Sequence, residues 1–111
     1  MTRKRIIADT IFLTSLLTLS FVLPVVAQTK LKTASEALKQ HDAKRAFHLA
    51  SEVIATDPEN ASAYFIRGKA RAEYDDSKNA LIDFSIGMRL DASSADSQVF
   101  LTMAQTYLQL K

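Results

Sequence analysis

Residues 61–92, ASAYFIRGKARAEYDDSKNALIDFSIGMRLDA, decide how this chain folds. They read as two helices, roughly Ala61 to Tyr74 and Lys78 to Leu90, separated by the polar turn Asp75-Asp76-Ser77. Asn60 is placed to cap the first helix, and Asp76 or Ser77 the second. Gly68 and Ala80 fall on successive helices where an antiparallel hairpin must cross. Larger residues there would force the helices apart, at about 1–3 kcal/mol for overpacking. Gly68 gives up about 1 kcal/mol of helix propensity relative to Ala. A glycine kept against that penalty points to close packing.

The pattern also stands about 34 residues earlier. Ala34 is matched by Gly68, Ala46 by Ala80, Ala50 by Phe84, Thr56 by Leu90, and Asp57-Pro58 by Asp91-Ala92. A fixed period of this size marks a stacked repeat. Upstream, a helix over roughly Lys30 to Gln40 offers Leu31, Ala34, Ala37 and Leu38 to a core. After the turn His41-Asp42, a second helix over roughly Ala43 to Ala55 places Ala46, Leu49, Ala50, Val53 and Ile54 on one face. Pro58 ends it, because proline cannot continue the helical hydrogen bonding. Downstream, the link Asp91 to Asp96 leads to a fifth helix from Ser97. There Phe100, Met103, Ala104 and Tyr107 follow the i, i+3, i+4, i+7 spacing. Nothing alternates with the period of two that a half-buried strand requires. The expected fold is all-α: a short stack of antiparallel helix hairpins, about two and a half repeats, over residues 28–111.

Residues 1–27 have the three-part pattern of a secretory leader. Arg3, Lys4 and Arg5 precede the apolar run Ile11 to Val26, and Val25-Val26-Ala27 supplies small residues for cleavage after Ala27. An uncleaved N-terminal anchor is the alternative, and a buried core helix a third. The run is slightly short for a bilayer span of about 20 residues. The whole chain has 14 Lys+Arg and 12 Asp+Glu. Three of the basic and one of the acidic residues lie in the leader, leaving 11 of each sign beyond it. The basic balance therefore belongs to the leader, and a nucleic-acid partner is not expected. With no cysteine, disulfides, thiolate metal sites and acylated lipoprotein anchors are excluded.

Ala61 to Ala92 resembles one full tetratricopeptide repeat. Tyr64 stands at the family's first-helix aromatic and Gly68 at its glycine; Ala80 and Phe84 match its second-helix alanine and aromatic. Leu90-Asp91 matches the end of the unit, with Ala92 in place of the usual proline. The preceding unit keeps Ala34, Ala46 and Asp57-Pro58. The chain after Ser97 resembles the first helix of a third unit, offset by two residues. The preceding unit has Lys30 in the aromatic place and Ala50 in place of the later aromatic, and several turn positions depart as well: His41 and Asp75 stand where the family often has glycine, and Ala43 and Ser77 where it has an aromatic. Gly87, where the family prefers alanine, is expected to loosen its helix.

The resemblance implies a concave face lined by first helices. Three rows carry over: Leu31, Phe65 and Leu101; Ser35, Lys69 and Gln105; Leu38, Ala72 and Leu108. Two are mainly apolar, with Lys69 the charge between them, which suits a peptide or partner helix docking by side-chain anchors. Those residues serve equally well as plain core. The asparagines of the carboxylate-clamp subtype are missing, so capture of an acidic chain terminus is not implied. Arg67 and Asp83 lie on paired helices and are expected to form a structural ion pair. The last helix is too apolar to cap a stack, which predicts self-association through it, docking onto a partner, or a shortened chain.

Chemistry is poorly represented. His41 and His48 are seven residues apart, but a zinc site needs three or four ligands and no third is well spaced. They support at most an alternative as a small metal-carrying accessory protein. No nucleophile is paired with a base, and two glycines cannot build a phosphate loop. Asn60-Ala61-Ser62 is a glycosylation triplet, though Asn60 already has a capping role. The expectation is an exported, periplasmic or secreted, non-catalytic interaction module without a cofactor, touching a membrane only through an uncleaved leader.

Overall fold

The computed structural model describes residues 24–111. Residues 1–23, most of the expected leader, lie outside the described residues. The described chain is helical: α1 over residues 24–39, then α2 (Ala43–Thr56), α3 (Ala61–Glu73), α4 (Ser77–Asp91) and α5 (Ser97–Gln109), with a 3-10 turn at Ala92–Ser94. The α1 helix includes residues before the expected start at Lys30 and runs unbroken through Ala27-Gln28. No glycine or proline interrupts residues 25–39, so nothing local stops the helix. Among the described residues no helix is long and apolar enough to cross a membrane.

Short polar side chains start the helices. Asp42 accepts from the Arg45 N–H at 3.1 Å, Asn60 from Ala63 at 3.2 Å and Asp96 from Val99 at 2.9 Å. Each satisfies one of the orphan donors of a first turn. Asp76 also precedes a helix, but its carboxylate accepts from the Asn79 side chain at 3.0 Å instead.

The hairpin turns repeat. His41 has φ 57° and Asp75 φ 58°, both left-handed and 34 residues apart. The Asp42 N–H donates to the Ala37 carbonyl at 2.8 Å, and the Asp76 N–H donates to the Arg71 carbonyl at 3.0 Å. This is the bond that closes a helix through a left-handed residue, usually glycine. His and Asp are among the side chains that tolerate that region.

Two cores lie along the stack, and α3 belongs to both. Ala34, Ala37, Ala43, Ala46 and Ala50 of α1 and α2 pack with Ile66 and Ala70 of α3. Ala61 and Phe65 of α3 pack with Ala80 and Phe84 of α4 and Val99 of α5. The first core is nearly all alanine, so its helices approach closely but remove little apolar area per residue.

The α3–α4 crossing differs from a backbone-to-backbone approach. A Cβ on Gly68 would lie 2.7 Å from Phe84 Cε1, and a Cβ on Gly87 2.6 Å from Phe65 Cε1. Each glycine thus makes room for an aromatic ring of the facing helix. Gly87 is therefore a packing position for Phe65.

Beside this interlock sits a buried charge. Asp83, fully buried, accepts from Arg67 Nε at 3.0 Å, Arg67 Nη2 at 2.8 Å and Arg71 Nη1 at 3.0 Å. The expected Arg67–Asp83 pair is present and bidentate; Arg71, one turn further along α3, is an additional partner. Arg67 also lies over the Tyr64 ring and Arg71 over the Phe47 ring, at 5.5 and 5.4 Å.

The α5 helix packs mainly through residues outside its apolar template. Its buried residues are Val99 and Thr106, whereas Phe100, Ala104 and Tyr107 of the apolar template are exposed. The spacing identified the helix.

The interlock predicts strong coupling. Gly68→Ala should destabilise, since about 1–3 kcal/mol of overpacking exceeds about 1 kcal/mol of regained propensity. Phe84→Leu removes the ring, so the double variant should lose less stability than the two single losses summed. Additive losses in thermal or urea melts would refute the contact. For the charge cluster, Asp83→Ala should cost most, about 3–5 kcal/mol, because it strands two arginines. Arg67→Ala should cost less and Arg71→Ala least, following the bonds each gives Asp83; a different ranking in the same melts would overturn this assignment.

Candidate functional site

An open groove of about 760 Å3 lies across the faces of α1, α3 and α5. The α1 helix contributes Ser35, Leu38 and Lys39, and α3 contributes Lys69, Ala72 and Glu73. The far wall is Gln98, Thr102, Gln105 and Gln109 of α5, with Thr106 beneath and Asp96 at the helix start. The spacing i, i+4, i+7, i+11 puts these four α5 residues on one face.

Positions 34 and then 36 residues apart recur along the groove. Ser35, Lys69 and Gln105 form one row, as expected. Lys39, Glu73 and Gln109 form a second that the sequence reading did not select, although the same 34- and 36-residue steps lead to it. Leu38 and Ala72 also line the groove, but their equivalent Leu108 does not and is 68% exposed. The row Leu31, Phe65 and Leu101 lies elsewhere. Leu31 packs against the alanine core, Phe65 is buried at Gly87, and Leu101 is exposed outside the groove. The groove is consequently more polar than the two apolar rows imply.

Local bonds set its chemistry. Lys69 Nζ lies 3.4 Å from both carboxylate oxygens of Asp96, joining α3 to the start of α5. Partial burial opposes ionisation of Asp96. The Val99 N–H and the Lys69 charge outweigh it and hold the carboxyl below the usual carboxylate range. Thr102 Oγ1 donates to the Gln98 carbonyl at 2.8 Å and Thr106 Oγ1 to the Thr102 carbonyl at 2.6 Å. Their hydroxyl protons thus go to the helix backbone, leaving the glutamine carboxamides as the principal polar contacts of the far wall. Gln109 Oε1 accepts from Ser77 Oγ at 3.0 Å, tying the start of α4 to the end of α5. The charges facing the groove balance: Lys39 and Lys69 against Glu73 and Asp96.

The histidines lie apart from this groove. His41 is exposed in a turn and His48 exposed on α2, its ring edge-on to Phe47 at 5.8 Å. Among the described residues no three His, Cys, Asp or Glu side chains converge as metal ligands. Asn60, of the glycosylation triplet, uses its side-chain oxygen as the α3 cap. Compared with protein-family models, curated proteins and solved structures, the chain matches none.

Proposed function

We propose that this chain is a non-catalytic interaction module of the tetratricopeptide type, carried by an exported, periplasmic or secreted protein, and that the α1–α3–α5 groove holds an extended segment of a partner protein. The observation carrying this reading is the groove itself, built from first-helix residues at repeat-equivalent positions, 35, 69, 105 and 39, 73, 109. The repeat reading draws further support from His41 and Asp75, left-handed turn residues one period apart where the family often has glycine.

The lining selects the partner's chemistry. Charges of both signs offset one another, and three glutamine carboxamides offer donors and acceptors along α5. An uncharged, polar strand of peptide suits such a surface better than an acidic terminus, a basic tract or a helix docking by apolar anchors. Export rests on the leader pattern. The first residue of α1 to be buried is Ala34, so removing residues 1–27 takes away none of the buried core of residues 34–106.

Peptides selected from a random display library against the full chain should be uncharged and polar. Gln105→Ala should weaken the selected peptides by about tenfold, or roughly 1.4 kcal/mol, with melting temperature little changed because residue 105 is exposed; Lys69→Glu should weaken them similarly but lower the melting temperature, because it sets a carboxylate against Asp96. Peptides indifferent to both variants would place binding elsewhere and defeat the groove reading. N-terminal sequencing of the exported chain should begin at Gln28; a retained Met1 would favour the membrane-anchored alternative.

A further inference from the structure

The α5 helix repeats α3, and the comparison shows what it lacks. With a 36-residue step, Val99 and Thr106 of α5 correspond to Ala63 and Ala70 of α3, and all four are buried. The next face behaves differently. On α3, Tyr64, Phe65 and Gly68 are buried, and Gly68 and Phe65 are the residues that interlock with α4. Their α5 equivalents are Phe100, Leu101 and Ala104; the first two are 51% and 52% exposed and Ala104 is also exposed. Tyr107 and Leu108, one heptad beyond Phe100 and Leu101, are 56% and 68% exposed. Thus α5 leaves open the face with which α3 receives an antiparallel helix.

Charge narrows the occupant. The α4 helix docks on α3 through Asp83, which meets Arg67 and Arg71. The α5 equivalents of those arginines are Met103 and Tyr107, and no charged residue occurs from Ser97 to Leu110. A helix like α4 would bring a carboxylate with nothing to pair it, and burying an unpaired charge is strongly unfavourable. The matching partner is an uncharged apolar helix.

The face also complements itself. Phe100 and Tyr107 form one edge, Leu101 and Leu108 the other, and Ala104 lies midway. Turned end for end about Ala104, the pattern places aromatic against aromatic and leucine against leucine. We propose that α5 pairs antiparallel with α5 of a second copy of this chain, about a two-fold axis at Ala104. Phe100 then faces Tyr107 of the other copy, and Leu101 faces Leu108. This contact is isologous, so it closes at two copies. A contact one helix wide is small beside a standard interface of roughly 800 Å2 per partner, so the dimer should be reversible and depend on concentration. Gln98, Thr102, Gln105 and Gln109 lie on a different face of α5, so the pairing neither requires nor blocks the groove.

Sedimentation of the full chain should show a doubling of mass as concentration rises. Ala104→Glu sets two carboxylates against each other at the axis and should abolish the doubling, while circular dichroism of dilute protein keeps its melting profile, because residue 104 is exposed in the monomer. The chain has no cysteine of its own, so single introduced thiols report the geometry. Mild oxidation should cross-link Ala104→Cys into a covalent dimer. It should spare Ser97→Cys, whose two copies would stand about 21 Å apart, fourteen residues at 1.5 Å each. A monomer at the highest soluble concentration, a dimer that survives Ala104→Glu, absence of the residue-104 cross-link, or equal cross-linking at residue 97 would each overturn the proposal.

Discussion

The rotation of α3 about its own axis is the constraint on which the rest depends. Phe84 occupies the space over Gly68, and Phe65 occupies the space over Gly87. Because the contacts are reciprocal, α3 cannot turn without driving a Cβ-bearing neighbour into a ring. With that angle set, Ile66 and Ala70 meet the alanine core of α1 and α2, while Ala61 and Phe65 meet α4 and α5. Lys69, Ala72 and Glu73 are left to line the groove. A turn by one residue, about 100°, would exchange these assignments and dismantle both cores and the groove together.

Asp83 constrains the other coordinate, sliding along the helix. A carboxylate with no exposed surface and three guanidinium contacts gives modest net stabilisation, because desolvation offsets most of the attraction. Its larger effect is against alternatives. Moving α4 by one turn, about 5.4 Å, would leave the buried carboxylate beside at most one of the two arginines, which stand one turn apart on α3. A core dominated by alanine methyls discriminates poorly among registers, since one alanine fits a groove much as another does. The charged cluster and the two rings supply the discrimination that the alanines do not.

The helical elements were legible in the sequence because period, turn and cap signals agreed there. Asp57-Pro58, Asn60 and the 34-residue matches located the helices, and Arg67–Asp83 followed from pairing them. Faces were harder to read. Phe65 was placed on the groove because the family pattern puts that position there; finding its true site required knowing that Gly87, on another helix, leaves a ring-sized space. The α5 spacing marked Phe100, Met103, Ala104 and Tyr107 as one apolar side, but periodicity reports only that a side is apolar and says nothing of what covers it. The groove row Lys39, Glu73 and Gln109 followed the repeat steps yet was passed over, because three residues of different charge character do not look like one site until they are seen on one wall.

These differences share a cause. The α3 helix has a face toward α1 and α2, a face toward α4 and a face toward the groove. Composition distinguishes them only where all three are occupied. On α3 the three carry alanines, ring contacts and mixed polar groups in turn. On α5, Val99 and Thr106 are buried, the glutamines face the groove, and Phe100, Leu101, Tyr107 and Leu108 are exposed. The exposed apolar side chains of α5 are thus not scattered over its surface. Leu101 and Ala104 stand 36 residues beyond Phe65 and Gly68, which interlock with α4, and the absence of charge from Ser97 to Leu110 distinguishes this side of α5 from that of α3, where Arg67 and Arg71 hold Asp83.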